Sequence, residues 1–212
     1  MAGAGTKPTD KRILVVGVAG IMGAGKSTVA RVFEEEGAKR IDADRLGREL
    51  LTRGKIKDEI VKVFGRGVLT RQGGIDTAKL ARVAFRDAES VAELDRITRA
   101  ALIDRIKGRI EKLGREGGVV VVDAALLPEW DSTEWIDVLV VVDSDEKSAV
   151  GRASAAARFE PAGVRARMKH QMPRRAKSMK ADIIIPNFGS LEDLRQKARI
   201  VFRKLQGAAG KE

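Results

Sequence analysis

Cysteine is absent from this 212-residue chain, which excludes disulfides, thiolate metal sites and cysteine nucleophiles together. That composition suits a reducing, cytoplasmic setting. Tyrosine is absent as well, and aromatic residues make up 4% of the chain, too few for the base-stacking platforms of RNA readers and single-strand binders. No nucleic-acid partner is therefore expected. No apolar run approaches the ~20 residues that a membrane-spanning helix needs, so the chain reads as soluble with no membrane partner. Lys7, Lys11 and Arg12 before an apolar stretch superficially resemble a secretory leader. The stretch is short, however, and runs straight into Gly25-Lys26-Ser27, which no cleavage site requires. Internal repeats and low-complexity segments are also missing, and the one histidine, His170, is read as a surface or lid residue with no chemistry assigned.

What the chain does have is positive charge and enough apolar material for a core. A net charge of +11 points to polyanionic partners, although a solvated arginine-rich surface would give the same count. An apolar content of 43% over this length fits one domain spanning residues 1–212. The first eleven residues and the last six, rich in Gly, Ala and Lys, are expected to fray.

Gly20 to Ser27 read GIMGAGKS, a complete G-x-x-x-x-G-K-[ST] loop between the apolar run Ile13–Val18 and the helix-like stretch Thr28–Glu36. Glycines let backbone N–H groups close around phosphate oxygens, and the helix start that follows favours negative charge. Gly20, Ile21, Met22, Gly23, Ala24, Gly25, Lys26, Ser27 and Thr28 are the candidate nucleotide-binding set. Lys26 has the reach for the β- and γ-phosphates, and the Ser27 hydroxyl is a candidate Mg²⁺ ligand.

Ile13–Val18, Val119–Asp123 and Val138–Asp143 are short, β-branched apolar runs of the kind buried on both faces of a parallel sheet. Ala38–Ile41 and Ile183–Ile185 are weaker strand candidates. Between them, Ile56, Ile60 and Val63 mark one amphipathic helix, and Leu94, Ile97, Ala101, Ile106, Ile110 and Leu113 mark a longer one. Ser190 and Asp193 form a capping-box pattern opening a last helix with Leu191, Leu194, Ala198, Val201 and Leu205 on one face. The alternation predicts an α/β, three-layer P-loop fold with a five-stranded parallel sheet and helices on both faces.

Ile41-Asp42-Ala43-Asp44 falls just past the second strand candidate, at the carboxyl edge of the sheet beside the loop. A carboxylate there has the position to accept a proton from an attacking hydroxyl or to hold the metal; capping the next helix is the other reading, favoured for Asp42. Asp123, ending the third strand, reads equally as a Walker-B-type Mg²⁺ residue and as a cap for the following turn. Trp130 and Trp135 flank the loop before the fourth strand and are assigned to packing first.

Taken together, these residues resemble the dephospho-coenzyme A kinase family. The match runs from Gly20–Thr28 through Gly37, Ile41-Asp42-Ala43-Asp44, Arg48, Gly54, Gly74-Ile75-Asp76, Leu80 and Ala84-Phe85. It continues at Asp123, Leu126-Leu127, Glu129, Val142-Asp143, Arg152, Gln171-Met172-Pro173, Ala181-Asp182 and the stretch from Asn187 to Leu191. The resemblance implies ATP and Mg²⁺ as cofactors, 3′-dephospho-coenzyme A as the small-molecule substrate, and phosphorylation of its ribose 3′-hydroxyl. It makes Asp44 the general base, Lys26 and the loop amides the ATP-phosphate ligands, and Arg152 a lid residue clamping the transferring group. It also suggests Asn187, with Phe188, in the adenine pocket, a turn being the competing role. A helical acceptor-binding region at about residues 45–115 and a basic lid at about 150–180 complete the expectation. The lid's Arg158, Arg165, Arg167, Lys169, Arg174, Arg175 and Lys177 carry its charge, and they cannot all face one site. Departures from the family pattern lie at Ala19 and Ile21, at Ala125-Leu126-Leu127-Pro128-Glu129, at Arg99-Ala100 in place of a His-Pro pair, and at Ala156 where a second lid arginine is usual.

Overall fold

Alternate residues of the first strand enter two different cores, and this period of two organises the molecule. In β1 (Ile13–Ala19), Val16 and Val18 join one buried cluster while Val15 and Ala19 join another. The computed structural model describes residues 13–52, 54–130, 134–157 and 160–209. Lys7, Lys11, Arg12 and Arg158, the expected fraying of the first eleven residues, and the last three positions lie outside them.

Five parallel strands form the middle layer in the order β2-β3-β1-β4-β5, with β2 at Lys39–Asp42, β3 at Gly118–Asp123, β4 at Val138–Asp143 and β5 at Ile183–Pro186. One face is covered by α1 (Lys26–Glu35) and α9 (Leu191–Ala209), whose Phe33 and Phe202 rings meet at 5.2 Å within the first cluster. The opposite face takes Leu46 of α2 (Ala43–Leu51) together with Ile106 and Ile110 of the long helix α5 (Ala88–Gly114). α3 (Gly54–Phe64) and α4 (Thr77–Ala84) extend from that face and share with α5 a third apolar cluster built on Ile60, Leu80, Ala84 and Ile97. Beyond β4 come α6 (Glu146–Ala157), α7 (Pro161–Met168) and α8 (Arg174–Met179). The expected three-layer parallel fold is therefore present.

Several local expectations shift. The first helix starts at Lys26 rather than Thr28, so the motif's lysine and serine already occupy its first turn. In α3, Ile60 is buried but Val63 is 41% exposed. In α9, Leu191 is 65% exposed and Phe202 fills the core position, because the buried stripe runs Leu194, Ala198, Phe202, Leu205. Ser190 Oγ accepts the Asp193 N–H at 3.1 Å as a cap should, while the Asp193 carboxylate turns to Lys197 at 2.7 Å. The same helix continues to Ala209, three residues into the tail expected to fray.

Candidate active site

Strand register assembles the site. Val18 of β1 and Asp42 of β2 both sit opposite Asp123 of β3, so the three strands reach their carboxyl ends side by side. The glycine loop leaves β1, the aspartate segment leaves β2 and Asp123 closes β3, all at one edge, where open α/β sheets bind ligands.

The loop is built by close approach. Gly25 serves as the N-cap of α1 with φ 103°, and a Cβ on it would lie 2.7 Å from the Asn187 amide nitrogen. The Ala24 N–H turns back to the Ile21 carbonyl at 3.0 Å, and the Ile21 side chain is buried in the core. Ile21 and Ala24 thus shape the loop from beneath, while Met22, Gly23, Gly25, Lys26, Ser27 and Thr28 line a cleft of about 710 Å³.

Lys26 is the electrostatic centre. Its ammonium donates to Asp123 Oδ1 at 3.1 Å and stands 3.6 Å from Asp44 Oδ2 and 3.3 Å from Ser27 Oγ. Burial works against its charge, but the carboxylates of Asp44 and Asp123 outweigh that and hold its pKa above the usual lysine value. Asp123 is 2% exposed, and its other oxygen accepts from Arg40 Nη2 at 2.7 Å. Both Asp123 oxygens therefore serve two cations across β2, β3 and α1. Asp42 is the N-cap of α2 and accepts the Arg45 N–H at 2.8 Å. Asp44, in the first turn of that helix, is 64% exposed and lines the cleft, so the two aspartates divide the capping and cleft positions.

Arg152 of α6 reaches across the loop: its Nε donates to the Gly23 carbonyl at 2.9 Å and its Nη2 to Ser144 Oγ. Of the other cations expected in the lid, Arg167 lines the cleft and lies 5.4 Å from the Phe85 ring centroid. Arg174 is turned instead to Asp143, at 2.7 Å from Oδ2, and to the face of Phe188. Lys177 is fully buried, donating to Glu129 Oε1 at 2.6 Å and to the Ala125 carbonyl at 2.7 Å. Burial lowers its pKa despite Glu129. Asn187 is braced behind the loop, its amide donating to the Ala24 carbonyl at 2.7 Å.

Three contributors, Arg40, Gln171 and Glu129, had no role assigned from sequence, and a fourth, Lys177, was expected only as one of the lid's charges. Arg40 lies within the weaker strand candidate Ala38–Ile41 and donates to Asp123. Gln171 accepts the Met22 N–H at 3.0 Å and ties the segment after α7 to the loop. Glu129 and Lys177 pin the segment after β3, whose Ala124, Ala125 and Leu126 form a cleft wall, to α8 and the residues before it, since Glu129 Oε1 also accepts the Met172 N–H at 2.9 Å. Only Gln171-Met172-Pro173 and Glu129, as quoted matches, gave any signal. His170 lines the cleft facing Phe85, with ring centroids 6.5 Å apart. Trp130 and Trp135 pack against the second core, and Trp130 also lines the cleft. Arg99, in the place of the usual His-Pro pair, pairs with Asp95 on α5.

A divalent ion fits this set as a lightly held guest. No cluster of three or more acidic or histidine side chains able to hold a metal occurs among the described residues. Ser27 offers a hydroxyl as a direct ligand, and Asp123, whose oxygens are paired with Lys26 and Arg40, is left a contact through water. That suits Mg²⁺, which keeps waters and takes phosphate oxygens.

The model of the dephospho-CoA kinase family matches residues 14–193. The chain belongs to that family. The dephospho-CoA kinase of Thermobifida fusca is 37% identical over 195 residues, covering 92% of this chain and 97% of its own. That of Carboxydothermus hydrogenoformans is 34% identical over 192 residues, covering 90% and 93%. Among solved structures, TT1252 from Thermus thermophilus superposes with a TM-score of 0.73 at 27% identity, covering 92% of this chain and 99% of that one. Family membership accounts for the phosphate loop and the ordered matches that follow it. No helix among the described residues is long and apolar enough to cross a membrane.

Proposed function

We propose that this chain transfers the γ-phosphoryl group of ATP to the ribose 3′-hydroxyl of 3′-dephospho-coenzyme A, releasing ADP and coenzyme A, the last step of coenzyme A synthesis. The observation that carries the reading is the exposed carboxylate of Asp44 on the cleft side of the phosphate loop, 3.6 Å from Lys26. A base placed there accepts the hydroxyl proton as the oxygen attacks phosphorus in line.

In this mechanism the amides of the glycine loop and Lys26 hold the triphosphate, and Arg152, already lying over Gly23, offsets charge on the transferring group. The triphosphate gives Lys26 a stronger anionic partner than Asp44, and Asp44 is released to receive its proton. Asp123 and Arg40 keep Lys26 aimed while this exchange occurs. Ser27, with Asp123 through water, would hold Mg²⁺, which when bound supplies neutralisation of the β- and γ-phosphate charge. Phe85, Val91, Leu102, Leu126 and Trp130 give the cleft an apolar wall for the acceptor, and Asn187, which braces the loop at the Ala24 carbonyl, is assigned with Phe188 to the adenine. The helical stretch at about residues 45–115 contributes Phe85, Val91 and Leu102 to that wall, which supports its assignment to the acceptor. We place the activity in the cytoplasm, with small molecules and not nucleic acid as partners; the cysteine-free, aromatic-poor composition supports this.

Purified protein with Mg-ATP and a panel of hydroxyl acceptors should phosphorylate dephospho-coenzyme A, identified by product mass. Asp44→Asn and Lys26→Ala should each lower kcat by at least about 10²-fold while circular dichroism stays native. Wild-type turnover in the Asp44 variant would remove that residue from the chemistry.

A further inference from the structure

Next to the cleft lies a second hollow of about 490 Å³, and two residues, Phe85 and His170, wall both. The rest of its lining comes from Arg86, just past α4, and from α7 with the residue after it: Ala162, Arg165, Ala166 and Lys169. Those last four are spaced i, i+3, i+4 and i+7, the spacing of a single helical face. The alanines make a floor that a ligand can approach closely. Arg165 and Lys169, one turn apart, stand exposed beside it. Arg86 is already paired with Asp87 at 2.8 Å, so the hollow's positive character rests mainly on the two α7 cations.

The chemistry of the acceptor gives this hollow a use. Its ribose must bring a 3′-hydroxyl to Asp44 while carrying a diphosphate on its 5′ carbon. The cradle at Lys26 and Arg152 is committed to the donor's triphosphate, and a second polyanion there would be repelled. Arg167, on the cleft side of Phe85, draws the acceptor's diphosphate toward that wall, and the partition it meets there is a pair of rings tilted by 43°. The hollow beyond offers two charges over a small-residue floor.

We propose that this hollow is the diphosphate subsite of the acceptor, with Arg165 and Lys169 binding the 5′-linked phosphates while the ribose lies in the cleft; this rests on the function given above. It assigns acceptor recognition to α7 and donor recognition to α6. The test is steady-state kinetics of Arg165→Glu/Lys169→Glu beside Arg165→Lys/Lys169→Arg. The glutamate pair should raise KM for dephospho-coenzyme A about tenfold or more, with KM for ATP held within about twofold, and the conservative pair should stay close to wild type. An unchanged KM for dephospho-coenzyme A, or a parallel rise in both KM values, overturns the subsite. A wild-type enzyme that leaves dephospho-coenzyme A untouched overturns the function itself, and the subsite with it, and is told apart because it needs no variant.

Discussion

A methyl group at position 23 would land 2.0 Å from the carbonyl oxygen of Ala149, and the backbone there has a φ of 77°. The loop motif asks for glycine only at 20 and 25, so nothing in the motif demands one at 23; the demand comes from α6, which lies against the loop and brings Arg152 to the Gly23 carbonyl. Gly23→Ala must push loop and helix apart. Displacements of about 1 Å in a phosphoryl-transfer site cost on the order of 10²-fold, so kcat/KM for ATP should fall by about that factor, read by steady-state kinetics of a variant that still folds. The same logic separates what could be read from the sequence at single positions. Lys26, Ser27 and Asp44 were legible because the chemistry dictates residue type and order. Lys177 was not, since one lysine in a basic stretch carries no mark of whether it faces solvent or, as here, is wholly buried against Glu129.

Helix starts carry their own electrostatics. Asp87 caps α5, accepting the Ser90 N–H at 2.8 Å, and that bond, with Arg86 alongside, holds its pKa down to about 2 against the ordinary 3.8. A carboxylate with a depressed folded pKa contributes stability that is complete above the unfolded value and fades as pH falls through the folded one. Asp87→Ala should therefore melt below wild type at pH 7, and the gap in Tm should close between about pH 4 and pH 2. Thermal melts across that range decide it, and a gap that persists at pH 2 would assign the loss to the capping hydrogen bond itself rather than to its charge. Elements with strong patterns were readable: the three valine-rich strands and the long stripe of α5 emerged nearly as expected. Register within an amphipathic helix was harder. Leu191 drops out of the expected face of α9 and Phe202, not named in it, joins the core because the approach of α1, with Phe33 against Phe202, selects which stripe is buried, and that approach is a tertiary fact.

At the scale of the molecule, the five-stranded parallel sheet and the meeting of the phosphate loop, Asp44 and Asp123 at one edge followed from the alternation of strands and helices, because parallel strands connected in this manner present their carboxyl ends together, whereas the order β2-β3-β1-β4-β5 was set by packing that alternation does not specify. The links from Met172 and Lys177 to Glu129 after β3, and from Gln171 to the phosphate loop, join residues distant in the chain and had no local pattern to announce them. The charge of +11 acts over this whole body. Both substrates are polyanions, so raising ionic strength from 0.01 to 0.15 M, which shrinks the screening length from about 30 to about 8 Å, should raise both KM values and leave kcat nearly unchanged. A salt-independent KM would show that the surface charge plays no part in capture. The missing tyrosines leave one more consequence. Ultraviolet emission from the native protein is dominated by two indoles, Trp130 on the cleft wall and Trp135 a short way along the chain. Quenching or a spectral shift as ligand is titrated then counts filled sites in real time, with no dye attached and no coupled assay to deconvolute.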